Sequence, residues 1–259
     1  MLRDIKNEEF DLYVNYAYSL AMKPCYASYP IFYDGLKTKQ DFINSALKFS
    51  KMHYAKIKLF EVDNKVRGWI NYYWDTEDNS IRVYTFLVED RIEQALEEYI
   101  HLIETDFPGY SICFGFPKEN TNAINYLKDH SFVIDEIGNN TVYVLDNYID
   151  KPITLKIIEI EENNFDLFRN IHDNSTSNMY WTSDRMLAHL NKWTILLIKD
   201  KGAIYYLHQG ILSEIFGIDV IDNDKDTIRC ELIKSALNKM NQQNVRNACF
   251  ITEDEELKS

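Results

Sequence analysis

Glycine is scarce in this chain, with 8 residues in 259 and none spaced as G-x-G-x-x-G or G-x-x-x-x-G-K. That excludes the glycine-rich phosphate turns of dinucleotide-binding folds and P-loops. Proline is scarcer still at 5, and the 4 cysteines, Cys25, Cys113, Cys230 and Cys249, form no C-x-x-C pair. Thiols so far apart read as reduced and buried, not as a disulfide framework. The 6 histidines make no H-E-x-x-H and no cluster with ligand spacing, so no metal centre is expected. A G-x-S-x-G elbow is also missing. No apolar run approaches the roughly 18 residues of a membrane span. The start, Met1-Leu2-Arg3-Asp4-Ile5-Lys6, has no apolar leader core, so the expectation is a soluble cytoplasmic protein. Basic residues are outnumbered, 28 Lys and Arg against 41 Asp and Glu, for a net charge of −13. Such a surface repels phosphate backbones and anionic lipid, so neither nucleic acid nor membrane is an expected partner.

What the chain does have is an ordinary globular composition, 46% hydrophobic and 14% aromatic, in a length that suits one large domain or two smaller ones. It also repeats itself. Phe10-Asp11-Leu12-Tyr13-Val14-Asn15 returns as Phe165-Asp166-Leu167-Phe168-Arg169-Asn170, and Cys113-Phe114 returns as Cys249-Phe250. The element order between these markers matches too. Each half opens with a helix and an aromatic stretch, Tyr26 through Tyr33 in one and Met179-Tyr180-Trp181 in the other. A second helix follows, with an N-cap candidate at Thr38 or Ser183. Hairpins then turn at Asp63-Asn64 and at Asp200-Lys201-Gly202, and third strands run over 81–88 and 214–220. A helix closes this set, with Ile92, Ala95, Leu96, Tyr99, Ile100 and Ile103 sharing one face in the first half. In the second half Ile228, Leu232, Ile233, Ala236, Leu237 and Met240 do so. The pattern predicts two copies of one α+β unit, over 1–150 and 151–259, each a mixed, mostly antiparallel sheet flanked by helices. The first copy continues into a helix over 120–130 and strands near 132–137 and 141–145. The second is expected to be C-terminally incomplete, stopping before its closing helix. Its terminal run Glu253-Asp254-Glu255-Glu256 reads as the acidic first turn of that helix.

Ser213-Glu214-Ile215-Phe216-Gly217-Ile218-Asp219-Val220 resembles the fourth strand of the GNAT superfamily of acetyl-CoA-dependent N-acetyltransferases. Asn120-Thr121-Asn122-Ala123-Ile124-Asn125-Tyr126-Leu127, ending in Ser131-Phe132, resembles the closing N-x-x-A-I-x-x-Y…G-F of that family. The two copies together resemble a tandem GNAT protein. The resemblance implies acetyl-CoA as co-substrate and a small-molecule primary amine as acceptor. It implies Glu214 as the general base that deprotonates the amine and Tyr126 as the acid that protonates the leaving thiolate. The backbone of Ile218, Asp219 and Val220 would meet the thioester arm. Lys225 and Arg229 would meet the diphosphate at the start of the next helix, and Asn120 would lie beside the cofactor. Lys225, Ile228 and Cys230 stand where the family's R-x-x-G-x-G/A turn has Arg, Gly and Gly. In the first copy Val88 runs through Glu89-Asp90-Arg91 almost directly into its helix. A non-catalytic ligand-binding or interaction module of the same fold is the alternative reading.

Overall fold

The computed structural model describes residues 1–175 and 180–253. Met179 of the second aromatic stretch and the acidic run Asp254-Glu255-Glu256 lie outside the described residues. The chain divides into two compact units, Met1–Val133 and Ile134–Ser259.

The first unit runs β1 (Leu2–Asp4), α1 (Phe10–Ala21), α2 (Lys39–Phe49), β2 (Ala55–Val62), β3 (Lys65–Asp75), β4 (Ser80–Val88), α3 (Ile92–Asp106), β5 (Ser111–Cys113) and α4 (Thr121–Asp129). Its sheet has the order β1-β2-β3-β4-β5, antiparallel except for the parallel β4–β5 pair. Asp63 and Asn64 both take positive φ, as a two-residue hairpin turn demands. Thr38 caps α2 as expected, its hydroxyl accepting from Asp41 N–H while the Asp41 carboxylate accepts from Thr38 N–H. Helices cover both faces of the sheet. Phe10, Val14, Ala17 and Phe42 of α1 and α2 pack on Leu59, Trp69 and Leu87. Ile92, Ala95, Leu96, Tyr99 and Ile103 of α3 pack on Phe60, Ile70, Tyr72 and Phe86.

The second unit runs β6 (Gly138–Val144), β7 (Ile158–Glu159), α5 (Phe165–Ser175), α6 (Ser183–Ala188), β8 (Trp193–Ile198), β9 (Gly202–Gln209), β10 (Leu212–Val220), α7 (Lys225–Gln242) and β11 (Asn247–Glu253). Its described strands have the order β6-β11-β10-β9-β8-β7, with β10–β11 the parallel pair. Ile228, Leu232, Ala236 and Met240 recur at four-residue spacing and bury against Ile198, Ile204, Tyr206 and Ile215. Ile233 lies about 100° further round and stays 37% exposed, so it leaves the expected face. Thr182, not Ser183, caps α6, its hydroxyl accepting from Arg185 N–H. Among the described residues no helix is long and apolar enough to cross a membrane.

Three expectations change here. The boundary falls at Val133/Ile134 instead of 150/151, because β6 pairs antiparallel with β11 along its whole length. The strand near 141–145 thus belongs to the second unit, and no strand forms over 132–137. Glu253 ends β11 and is not in a helix.

Candidate active site

The two units align through their strand registers. In the first, the β3–β4 register shifts between Asn71/Thr85 and Tyr72/Val83, leaving Tyr84 bulged. In the second, the β9–β10 register shifts between Tyr206/Ile215 and Tyr205/Gly217, leaving Phe216 bulged. Matching the bulges sets Phe86, Leu87 and Val88 against Ile218, Asp219 and Val220, and Arg82 against Glu214. A bulge breaks the ladder and bends its strand. Past it, the central parallel pair comes apart. Pairing of β4 with β5 ends at Arg82/Cys113, and pairing of β10 with β11 ends at Ile215/Phe250. Each unit therefore opens a wedge at the C-terminal end of its fourth strand, beyond which Phe86–Val88 or Ile218–Val220 have lost one neighbour.

In the first unit the chain fills this wedge itself. Phe86 N–H donates to Ser28 Oγ at 2.6 Å and Val88 N–H to the Tyr26 carbonyl at 3.3 Å. On the other side Tyr29 N–H donates to the Gly115 carbonyl at 2.8 Å. Asn120 anchors the segment, its Nδ2 donating to the Ala27 carbonyl at 2.9 Å while its Oδ1 caps α4 at Ala123 N–H. Ala27, Ser28 and Asn120 are all buried. The Tyr26–Tyr29 segment thus acts as a plug, and Asn120, expected beside a cofactor, holds it in place.

The second unit has a shorter connection at this point, from 176 to Thr182, where the first runs from Met22 to Thr38. Among the described residues, no backbone or side-chain group bonds the amides of Ile218 or Val220 from the wedge side. Gly217 lies under the Tyr205 ring, where a Cβ would come within 2.2 Å of Tyr205 Oη, so only glycine lets the bent strand pass. An aromatic wall leads to the bulge. Trp181 meets Trp193 edge-on at 5.1 Å, and Trp193 meets Phe216 edge-on at 5.1 Å.

Glu214 is half-buried on β10, opposite Leu207 of β9 and level with Cys249 of β11. Leu207 in turn faces Trp193, so the Glu214 carboxylate shares a sheet face with that wall. Lys225 opens α7 and Arg229 follows one turn later, both exposed. The same turn is acidic. The Asp224 carboxylate accepts from Thr227 N–H at 3.3 Å, and Asp222, which accepts from Asp224 N–H, pairs with Lys201.

The side chains of two expected residues make contacts of their own. The Asp219 side chain turns away from the wedge toward α5, where Oδ2 lies 2.7 Å from His172 Nδ1. Tyr126 belongs to the first unit, stacked on His130 at 3.9 Å. Burial first, then Glu97 and Glu93, push its phenol above the ordinary tyrosine value. That is the wrong direction for a ready proton donor. The plug, the aromatic wall and His172 were not expected. Their signal lies in the differences between the copies, in loop length and in the residues opposite each fourth strand.

Neither a protein-family model nor a curated protein sequence matches the chain. Solved structures do. A GCN5-related N-acetyltransferase from Sphaerobacter thermophilus superposes with a TM-score of 0.66 at 12% identity, covering 100% of this chain and 88% of that one. A tandem GNAT protein from the clavulanic acid biosynthesis pathway gives 0.60 at 10% identity, over 98% and 90%. A glucosamine N-acetyltransferase region of a fungal multi-domain β-N-acetylglucosaminidase gives 0.61 at 9%, over 96% of this chain and 35% of that one. With a bulged fourth strand and a splayed parallel pair in each unit, the chain has the fold of the GNAT acetyltransferases, laid down twice in tandem.

Proposed function

We propose that the chain is an acetyl-CoA-dependent N-acetyltransferase acting on a small primary amine, with its working cleft in the second unit. The observation that carries this reading is the contrast between the wedges. The first is bonded shut by Tyr26–Tyr29, whereas among the described residues the second leaves Ile218 and Val220 amides without a partner. A pantetheine arm carries amide groups that suit such a strand edge, so these residues fit the cofactor's thiol end. At the other end Lys225, Arg229 and the amides of the first turn of α7 would hold the diphosphate.

Acetyl-CoA, when bound, supplies an acyl thioester. Glu214 takes the proton that keeps the amine from attacking. A β10 amide beside the bulge donates to the carbonyl oxygen as negative charge gathers there. Trp181, Trp193 and Phe216 exclude water from the acceptor side. As the amine nitrogen bonds to the acyl carbon the C–S bond breaks, and the departing thiolate takes a proton from solvent or the one that Glu214 accepted.

The acidic first turn of α7 favours the second reading, a non-catalytic binding module, because Asp224 occupies an amide that a diphosphate needs. Calorimetry separates the two. Acetyl-CoA should bind with one site per chain, and acetyl-pantetheine, lacking the diphosphate, should bind more weakly at the same stoichiometry. Two sites per chain would mean that the first wedge opens. No heat and no thermal stabilisation at millimolar acetyl-CoA would end the enzyme reading, since a ligand that binds the folded state must stabilise it.

A further inference from the structure

The second unit buries an ionisable pair where the first buries two apolar residues. Matching Phe10–Asn15 to Phe165–Asn170 puts His172 in the place of Ala17, and matching the bulges puts Asp219 in the place of Leu87. Ala17 and Leu87 lie in one apolar cluster. His172 is 1% exposed and Asp219 6%. The His172 ring bridges two elements, with Nδ1 2.7 Å from Asp219 Oδ2 and Nε2 2.8 Å from the Trp181 carbonyl oxygen. With Asp219 ionised, both partners only accept, so each ring nitrogen would carry a proton and the ring would be an imidazolium. Phe168 stacks on it at 4.9 Å and Tyr205 meets it edge-on at 5.4 Å, which fixes its plane.

The position of this bridge gives it a role. Asp219 sits on β10 between Ile218 and Val220, whose amides face the wedge. Trp181 starts the aromatic wall that ends at Phe216. We infer that His172 is a positioning residue, which ties the acceptor-side wall to the acyl-carrying strand by bridging Asp219 and the Trp181 carbonyl. This rests on the acyltransferase reading. Several groups act on the ring. Burial opposes its charge, while Asp219 from β10, the Trp181 carbonyl and Asp173 from α5 favour it, and the balance holds its pKa above the ordinary histidine value. Tyr205 from β9 faces it as a neutral phenol, its own ionisation pushed up by burial and by Asp219. Burial, against the pull of His172, also raises the Asp219 carboxyl above its ordinary value, so the bridge is complete between that raised value and the ordinary histidine pKa. It is lost as pH rises through the higher folded value.

The test uses His172→Ala/Asp219→Leu, which installs the pair that the first unit already packs, beside His172→Ala alone. The probes are acetyl-CoA with 2-phenylethylamine, putrescine and glucosamine. In the double variant, thermal stability should return to near wild type and acetyl-CoA affinity should hold. The acceptor KM should remain raised, by up to about 100-fold if the wall shifts by an ångström. Wild-type KM should rise relative to the double variant as pH rises through the His172 titration. Nitrogen NMR of the wild-type ring should find both nitrogens protonated at pH 7. A neutral ring there, or a double variant with wild-type acceptor KM and pH profile, overturns the inference while leaving the acyltransferase reading intact. Absence of wild-type turnover with every amine tried, with the imidazolium in place, overturns the reading itself and the inference with it.

Discussion

Residues 134–259 expressed alone should fold cooperatively, and residues 152–259 should not. The shorter piece is what the repeat pattern marks as the second copy, but it lacks β6. That strand pairs with β11 from Val144/Asn247 to Gly138/Glu253. Parallel pairing on the other side of β11 covers only Asn247–Phe250. Without β6, the strand carrying Ala248, Cys249 and Phe250 becomes a bare edge. The same cut removes Leu145, which is buried among Leu232, Ala236 and Val245. It also removes Tyr148, whose hydroxyl donates to Asn238 Oδ1 at 2.9 Å. Loss of one buried leucine side chain costs about 2–5 kcal/mol, against a total stability of about 5–15 kcal/mol for a domain. Adding a lost strand should exhaust what remains. Urea unfolding and amide NMR dispersion of the two pieces make the measurement. A well-dispersed spectrum from 152–259 would show that β6 is an accessory, not part of the unit.

Glu214→Gln should lower turnover by about 10²- to 10⁴-fold at neutral pH, the usual contribution of a positioned base. Glutamine keeps the shape and the hydrogen bonding of the side chain but cannot take the amine's proton. Acetyl-CoA affinity should barely change, because the proposed cofactor contacts are the Ile218 and Val220 amides and the first turn of α7. Activity should recover partly as pH rises and free amine becomes abundant. The first unit supplies a control from nature, since Arg82 stands in register with Glu214 where the wedge is closed. Initial rates against pH, with calorimetry on the same variant, decide it. Wild-type turnover in Glu214→Gln would assign proton removal to water or to another group.

Order and type of the elements were legible because they are local. The helix faces of α3 and α7, the Asp63-Asn64 turn and the Thr38 cap each lie within a few residues of sequence. The partner of β6 was not, since the residues near 141–145 read as a strand whichever sheet receives them, and β11 lies a hundred residues on. The bulge at Phe216 was hidden for a different reason. In a run as apolar as Ile215-Phe216-Gly217-Ile218, one extra residue leaves no break in the side-chain pattern. Backbone donors hid the plug, because Ser28 and Tyr26 act on the amides of Phe86 and Val88, which carry no sequence mark. The His172 bridge left a trace that aligning the copies exposes, for both Ala17 and Leu87 give way to ionisable residues. The expected Asp219 contact runs through its backbone, and a strand position says nothing of the partner that its side chain finds in His172.

The plug has a consequence for how the two units respond to supply. Tyr26–Tyr29 is an occupant tethered to its own site, present at an effective concentration set by the chain, on the order of millimolar for a short flexible tether. Dilution does not remove it, and a free thioester must outcompete it. The second wedge has no such tenant among the described residues, so a ligand there fills it only as concentration allows, adding about 2.7 kcal/mol to the folded state at 100 times Kd. On heating with acetyl-CoA, the melting of the second unit should therefore track the metabolite while that of the first stays fixed. On the proposed reading, one copy is a scaffold closed by its own chain, and the other would respond to the level of its ligand.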